Sequence, residues 1–322
     1  MSAPIELALI GAGRIARQHA RAVAARDDVQ ITCVVDPDLA AASELAADAG
    51  AAAVTATVDE VPEGVQGAII CSPTVLHAEH ATALVERGVA VLVEKPLASD
   101  LAAAEQLVRR AHERGVVVLS AQVLRYLPMT EVAREIVASG RFGRPVQVIE
   151  RRLVDRADNY PWWRDMPAFL VSHWGSHSVD LVCHLFDDEV VRVACEADSV
   201  RSDFGVVDDF SLLARFGSGL RMTSSMSFSS RFETHDIVFI GTGATIVFEG
   251  YRAVTVDGVE VMRRDEEEML DAAFSAQLDD FVATIRGGGR EIATARSALP
   301  ALDALSAAER AALASMAGAD PS

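Results

Sequence analysis

The sequence predicts a two-domain chain: a doubly wound parallel α/β domain over residues 1–121 and an α+β domain with an open, mostly antiparallel sheet over residues 122–322. Three features predict it. Short apolar runs alternate with helical spacing through the first third, a pattern that builds a parallel sheet flanked by helices. A glycine-bearing turn joins the first of those runs to the first helix. Beyond Ala121 the alternation gives way to successive runs of period two, as expected of strands with one buried face. At 322 residues each domain has enough chain for its own core, and a composition half apolar and 24% charged is that of a folded globular protein.

In order, Ile5 to Ile10 is an apolar run, Gly11-Ala-Gly13-Arg-Ile-Ala16 turns the chain, and helical spacing continues to about Arg26. Ile31 to Val35 forms the next strand and ends at Asp36; Pro37 then breaks the pattern before an alanine-rich helix from Leu39 to Ala49. Strands recur near Val54, at Gly67 to Cys71, Ala90 to Val93 and Val116 to Leu119, with helices at Thr74 to Arg87 and Leu101 to Arg114. The second domain opens with a helix at Thr130 to Ser139, a strand from Val146 to about Leu153 and a helix over Ser172 to Leu185. Strands follow at Val190 to Ala197, Phe210 to Phe216, Leu220 to Ser227, Asp236 to Ile240, Thr245 to Phe248 and Ala253 to Val256. Helices at Asp271 to Arg286 and Ala298 to Ala314 close the chain. Gly241-Thr-Gly243 lies between two antiparallel runs and reads as a hairpin turn rather than a phosphate loop.

A formal charge of -18 and a pI near 4.8 exclude nucleic acid as a partner, because such a surface repels a phosphate backbone. The first residues lack a basic n-region, and Leu7 to Ile10 is too short for a signal core or a membrane span, so a cytoplasmic protein with no membrane partner is expected. Cys33, Cys71, Cys183 and Cys195 have no Cys-x-x-Cys spacing and read as reduced, space-filling thiols; no metal is expected.

Gly11-x-Gly13-x-x-Ala16 between a strand and a helix is the dinucleotide fingerprint in its required context. Gly11 permits the tight turn, Gly13 lets the backbone approach a pyrophosphate, and Ala16 allows close helix packing, while the helix N-terminus at Arg14 and Ile15 offers N–H donors. Asp36 ends the second strand, about 20 residues on, where a carboxylate accepts hydrogen bonds from ribose hydroxyls and repels a 2′-phosphate. NAD is therefore favoured over NADP. Ser72-Pro73-Thr74 follows the fourth strand at the ligand-binding edge and serves either as a capped turn or as a cofactor contact. Of the 29 basic residues one is lysine, Lys95, and it stands in Glu94-Lys95-Pro96 at the same edge, where a compact titratable ammonium has a use that arginine does not match.

These motifs together, with Ser-Pro-Thr-x-x-His at Ser72 to His77 and His177-x-x-Asp180, resemble the glucose-fructose oxidoreductase, inositol dehydrogenase and rhizopine catabolism (Gfo/Idh/MocA) family. Ser139-Gly-Arg-Phe-Gly143 and Gln277-Leu-x-x-Phe281 extend the likeness over nearly the whole chain. The resemblance implies a nicotinamide cofactor near Glu94 and Lys95, with His77 either beside it or in a helix-cap or packing role, and hydride transfer at a secondary alcohol carbon of a sugar, polyol or glycoside. It assigns Lys95 to the substrate hydroxyl and His177 to the general acid or base. Asp180, at i+3, shares the helical face of His177 and either orients the imidazole or bonds a second hydroxyl.

Pro167-Ala-Phe169 replaces the family's glycines, and His173 stands where an aspartate is usual, so His173 is either a relay partner of His177 or a packed residue. Trp162, Trp163 and Trp174, with Tyr160, cluster beside these histidines and offer flat faces to a sugar ring or else pack a loop. Arg125 joins them as a substrate-binding candidate, whereas Arg151, Arg152 and Arg156 read as solvated charges. Two other functions fit the same residues: an eliminating lyase or glycosidase that oxidises a sugar carbon transiently, and a non-catalytic NAD(H)-sensing protein. The open sheet of the second domain has one face to cover, so a homo-oligomer, dimer or tetramer, is expected.

Overall fold

The computed structural model describes residues 3–155, 166–201 and 206–318. The chain divides into two compact units, one of Met1–Tyr126 with Asp271–Leu299, the other of Leu127–Leu270 with Pro300–Ser322.

The first unit is built on a six-stranded parallel sheet. Its strands are β1 (Ile5–Ile10), β2 (Val29–Val35), β3 (Ala53–Thr55), β4 (Gly67–Ile70), β5 (Ala90–Val93) and β6 (Val118–Ser120), in the spatial order β3-β2-β1-β4-β5-β6. Helices α1 (Arg14–Ala24), α2 (Leu39–Ala49), α3 (His77–Glu86) and α4 (Leu101–Arg114) connect them. Every residue of β4 and β5 is buried, which is why these strands read as continuous apolar runs. Helix ends follow local chemistry: Asp38 and Asp100 accept first-turn N–H bonds, and Gly50 and Gly115 end α2 and α4 in the left-handed region.

The first crossing falls at Tyr126/Leu127, a few residues past the boundary expected at 121, and residues 271–299 return to the first unit. Their helix, α7 (Glu266–Ile285), contributes Leu278, Phe281 and Val282 to the core that contains Leu7, Leu9, Ile31 and Leu92. A β-carbon at Gly67 would fall 2.8 Å from both Ile285 Cδ1 and Leu7 Cδ2 and 3.2 Å from Phe281 Cζ, so the sheet accepts this helix only over a glycine. The loop beyond α7 is tied by Asp280, whose carboxylate accepts the Tyr126 hydroxyl at 2.8 Å and the N–H groups of Arg290, Glu291 and Ile292.

The second unit carries an eight-stranded sheet ordered β14-β13-β12-β11-β7-β10-β9-β8. Its strands are β7 (Pro145–Asp155), β8 (Val190–Asp198), β9 (Asp209–Phe216), β10 (Arg221–Ser227), β11 (Ser229–Gly241), β12 (Thr245–Glu249), β13 (Ala253–Val256) and β14 (Val259–Arg263). All pairings are antiparallel except β7 with β10. The hairpin at Gly241–Gly243 is present as expected. The sequence reading lacked β14, whose signal was Asp257-Gly258: both residues have positive φ, as a two-residue hairpin turn requires. Helices α5 (Pro128–Ala138), α6 (Phe169–Phe186) and α8 (Ala295–Gly318, from Pro300 onward) complete the unit, and a β-carbon at Gly175 of α6 would meet Leu305 of α8 at 2.7 Å. Among the described residues no helix is long and apolar enough to cross a membrane.

Truncating Phe281 to alanine removes a fully buried ring from the first unit, and we expect a loss of about 3–5 kcal/mol in denaturant unfolding. A loss below about 1 kcal/mol would show that α7 is not part of that core.

Candidate active site

The order of the first sheet reverses between β1 and β4, and the loops after these strands meet there. Gly11 has φ of 100°, and a β-carbon on it would stand 2.7 Å from the Cys71 carbonyl oxygen. Backbone strain and backbone collision thus both require glycine. Gly13 and Arg14 are exposed at the start of α1, Ile15 is half-buried, and Ala16 is buried against the sheet. A β-carbon at Gly13 would meet nothing within 4 Å, and α1 has no side-chain cap, so its first N–H groups remain for a ligand. The Asp36 carboxylate accepts from Ala12 N at 2.8 Å and from Asp38 N at 2.9 Å, fixing the glycine turn from the end of β2. This arrangement fits the pyrophosphate and ribose of a dinucleotide.

The segments after β4 and β5 are braced from inside. His77 is buried, with Nδ1 2.8 Å from the Pro96 carbonyl and Nε2 2.8 Å from the Ser72 carbonyl, joining the two segments. Burial holds its pKa below the ordinary histidine value despite the pull of both carbonyls. The Ser72 hydroxyl pairs with His80 Nδ1 at 3.0 Å; Thr74 is buried and Pro73 exposed. Glu94 lies under Lys95, with Oε1 2.8 Å from His19 Nε2 and Oε2 accepting the Lys95 backbone N–H at 3.1 Å. Burial alone would raise the Glu94 carboxyl; the hydrogen bond and charge of His19, with Lys95, outweigh it and leave the group below the usual range. Lys95 itself is half-buried.

In the second unit α6 presents His173, Trp174 and His177, all half-buried, with Asp180 almost wholly buried one turn on. The Trp174 ring meets His173 edge-on at 5.5 Å and lies 6.4 Å from His177. The helix is pinned to the sheet by Glu150, whose carboxylate accepts the hydroxyls of Ser178 at 2.6 Å and Ser224 at 2.7 Å and faces His235 Nε2 at 3.3 Å. Burial raises the Glu150 carboxyl, but His235 and the two serines hold it below the ordinary glutamate value.

The side chains of His77 and Glu94 brace the fold, His77 in the packing role its position also allowed. Two arginine readings differ from the structure. Arg125, expected on substrate, is 3% exposed, and its guanidinium donates to the Ile292 carbonyl, the Ser297 hydroxyl and the Ser297 carbonyl. Arg152, read as solvated, sits on the covered face of β7 with its guanidinium 3.6 Å above the Trp174 ring. Tyr160, Trp162 and Trp163, like Arg156, lie outside the described residues. The sequence reading also missed Glu150 and its serines. Their signal was parity: Glu150 and Arg152 share the strand face of buried Val148, so two charged residues stand at core positions.

A fingerprint turn at the reversal point of a parallel sheet, followed by a mixed α+β unit, defines a two-domain dinucleotide-binding protein. The sequence matches the oxidoreductase family with an NAD-binding Rossmann fold over residues 5–122, and the GFO/IDH/MocA C-terminal domain over residues 130–247. The chain belongs to the GFO/IDH/MocA family of NAD-binding oxidoreductases. Among its relatives, 4-carboxy-2-hydroxymuconate-6-semialdehyde dehydrogenase of Sphingobium sp. is 27% identical, covering 70% of this chain and 73% of its own. Inositol 2-dehydrogenase of Rhizobium meliloti is 24% identical, covering 95% of this chain and 96% of its own. The crystal structure of GenD2 from gentamicin A biosynthesis, in complex with NAD, shares the fold with a TM-score of 0.84 at 24% identity, over 99% of this chain and 96% of that one.

Replacing Gly11 with alanine should abolish NADH binding measured by fluorescence titration while the far-ultraviolet dichroism stays native; retained affinity would refute the close approach. A carboxylate lowered by folding stabilises above its ordinary pKa, near 4.5 for glutamate, and that contribution is lost as pH falls through the lowered value. The melting temperature of Glu150→Gln should therefore depend less on pH below that range than the wild type's, and equal slopes would count against a charged Glu150.

Proposed function

We propose that the chain is an NAD-dependent dehydrogenase acting on a secondary alcohol carbon of a sugar, polyol or glycoside, with Lys95 and His177 as its catalytic residues. The observation that carries this reading is the placement of the chain's one lysine directly after β5, at the sheet edge where the fingerprint turn stands, over a carboxylate already engaged by His19.

Bound NAD supplies the hydride acceptor. As hydride leaves the carbinol carbon, the hydroxyl must lose its proton, and the His177 imidazole, which can exchange a proton at either ring nitrogen, is the group to take it. Lys95 stabilises the developing alkoxide with a short-range positive charge. His173 and Asp180 flank the base on α6 and hold or pass its proton. Arg14, Ile15, Ser72, Pro73 and Thr74 line the dinucleotide, and Trp174 offers an apolar face to the substrate. Asp36 accepts from the adenosine ribose and opposes a 2′-phosphate, so NAD is preferred to NADP. The inositol 2-dehydrogenase relative supports a polyol-like substrate.

The outer face of the second sheet leaves Ile149 and Leu213 exposed at 40% and 51%. A homo-oligomer covering that face, in the cytoplasm, completes the proposal.

A screen of NAD reduction across sugars, inositols and glycosides tests it. Lys95→Ala and His177→Ala should each lower kcat/KM by about 10²- to 10⁴-fold while NADH still binds. Product formed without net NADH would favour the eliminating reaction, and unchanged rates in both variants would overturn the residue roles. Leu213→Glu should reduce the mass measured by light scattering to that of one chain; an unchanged mass would move the interface elsewhere.

A further inference from the structure

We infer that Arg152, held by Trp174, is an anion-recognising residue of the substrate domain and that the substrate carries a carboxylate. The inference rests on the reading that α6 faces the substrate, and it names the chemical class that this site takes.

Arg152 is on the face of β7 that α6 covers, in register with Met226 of β10 and His235 of β11. Its guanidinium carbon stands 3.6 Å from the centroid of Trp174, the residue between His173 and His177 in the aromatic row of α6. One Nη donates to the Tyr251 hydroxyl at 2.9 Å and approaches His235 Nδ1 at 3.5 Å, and the Tyr251 ring lies 5.8 Å away. All of these neighbours except the half-buried histidine are uncharged. Among the described residues no carboxylate lies within 4.0 Å of the Arg152 nitrogens. Glu150, two residues earlier on the same face, is engaged by Ser178, Ser224 and His235.

That lack of an acidic partner is not imposed by composition. The chain has 47 acidic residues against 29 basic ones, and arginines elsewhere, at positions 26, 110, 252, 263 and 286, are paired with carboxylates. Moreover, Arg152 Nε and Trp174 Nε1 are both buried donors with no hydrogen-bond partner among the described residues. A partly desolvated cation whose own Nε is unanswered, beside an equally unanswered indole N–H, is costly unless an acceptor-rich anion completes the set.

Stacking fixes the plane of the guanidinium, and a fixed planar fork matches the two oxygens of a carboxylate. A phosphate dianion would call for further cations, and no second guanidinium or ammonium is among the neighbours named above. A neutral hydroxyl needs no cation at all. The geometry therefore selects an acid such as a uronate over its neutral counterpart.

The test is calorimetric titration of the NADH-saturated protein with glucuronate and galacturonate, each against glucose and galactose, for the wild type, Arg152→Gln, Arg152→Lys and Trp174→Phe. The wild type should bind at least one acid about 10- to 100-fold more tightly than its neutral partner, the range of a charge-assisted hydrogen bond. That ratio should collapse in Arg152→Gln, survive in part in Arg152→Lys and fall in Trp174→Phe, which keeps a ring but removes the Nε1 donor. Native dichroism in the lysine and phenylalanine variants keeps the test valid if the glutamine variant misfolds. No preference for acids in the wild type, or the same preference in all variants, overturns the inference and leaves Arg152 as a stacking residue. Acid binding lost in Arg152→Gln but without NAD reduction by any compound would sustain the anion site while overturning the dehydrogenase reading.

Discussion

The hydrogen bond between His19 and Glu94 is the contact on which the first unit's chemistry depends. His19 lies on the same helix whose uncapped N-terminus follows the glycine turn, and Glu94 precedes the lysine. The helix that offers its N–H groups to a dinucleotide therefore also anchors the segment that carries Lys95. A carboxylate this deeply buried is tolerated only because its oxygens are answered, by an imidazole on one side and by the next backbone N–H on the other. The adjacent brace, His77 between the Ser72 and Pro96 carbonyls, ties that same segment to the loop after β4, so three loops at one sheet edge are held as a set.

The second unit repeats the device with different parts. Glu150 in the middle of the sheet takes hydroxyls from α6 and β10 and faces a histidine on β11, so one buried carboxylate joins the helix and three neighbouring strands. Ser178 follows His177 directly, and its bond to Glu150 limits rotation and sliding of α6. The position of the proposed base is thereby set by a residue on the strand beneath it. Hydride transfer tolerates little misplacement of the reacting groups, which gives both buried pairs a role beyond stability.

Much of this was legible in the sequence, and the limit falls in a consistent place. The strand-and-helix alternation, the fingerprint turn and Asp36 follow from local rules, and they appear where spacing placed them. The contacts that sequence reasoning did not supply, those of Glu94, Arg125 and Arg152, join polar groups distant in sequence: 75 residues separate His19 from Glu94, 172 separate Arg125 from Ser297 and 99 separate Arg152 from Tyr251. Motif position indicates that such a residue matters, but its side chain turns toward whichever partner the fold supplies. The return of residues 271–299 to the first unit has the same origin. Helical spacing marks α7 as amphipathic, yet only the glycine at position 67 leaves room for it, and nothing near that glycine in the sequence indicates so.

The use of cations adds a last step. With one lysine in the chain, every arginine is a planar guanidinium, and ten of them are paired with carboxylates among the described residues. Lys95 and Arg152 suit complementary tasks. Lys95 is a compact ammonium at a sheet edge, suited to a charge that develops during reaction. Arg152 is a planar fork fixed over an indole, suited to a charge that is already present. A neutral polyol would engage only the first of these. A substrate bearing both an oxidisable carbinol and a carboxylate would engage both, and that is the reason the stacked arginine, rather than the family fold, bears on which molecule this enzyme takes.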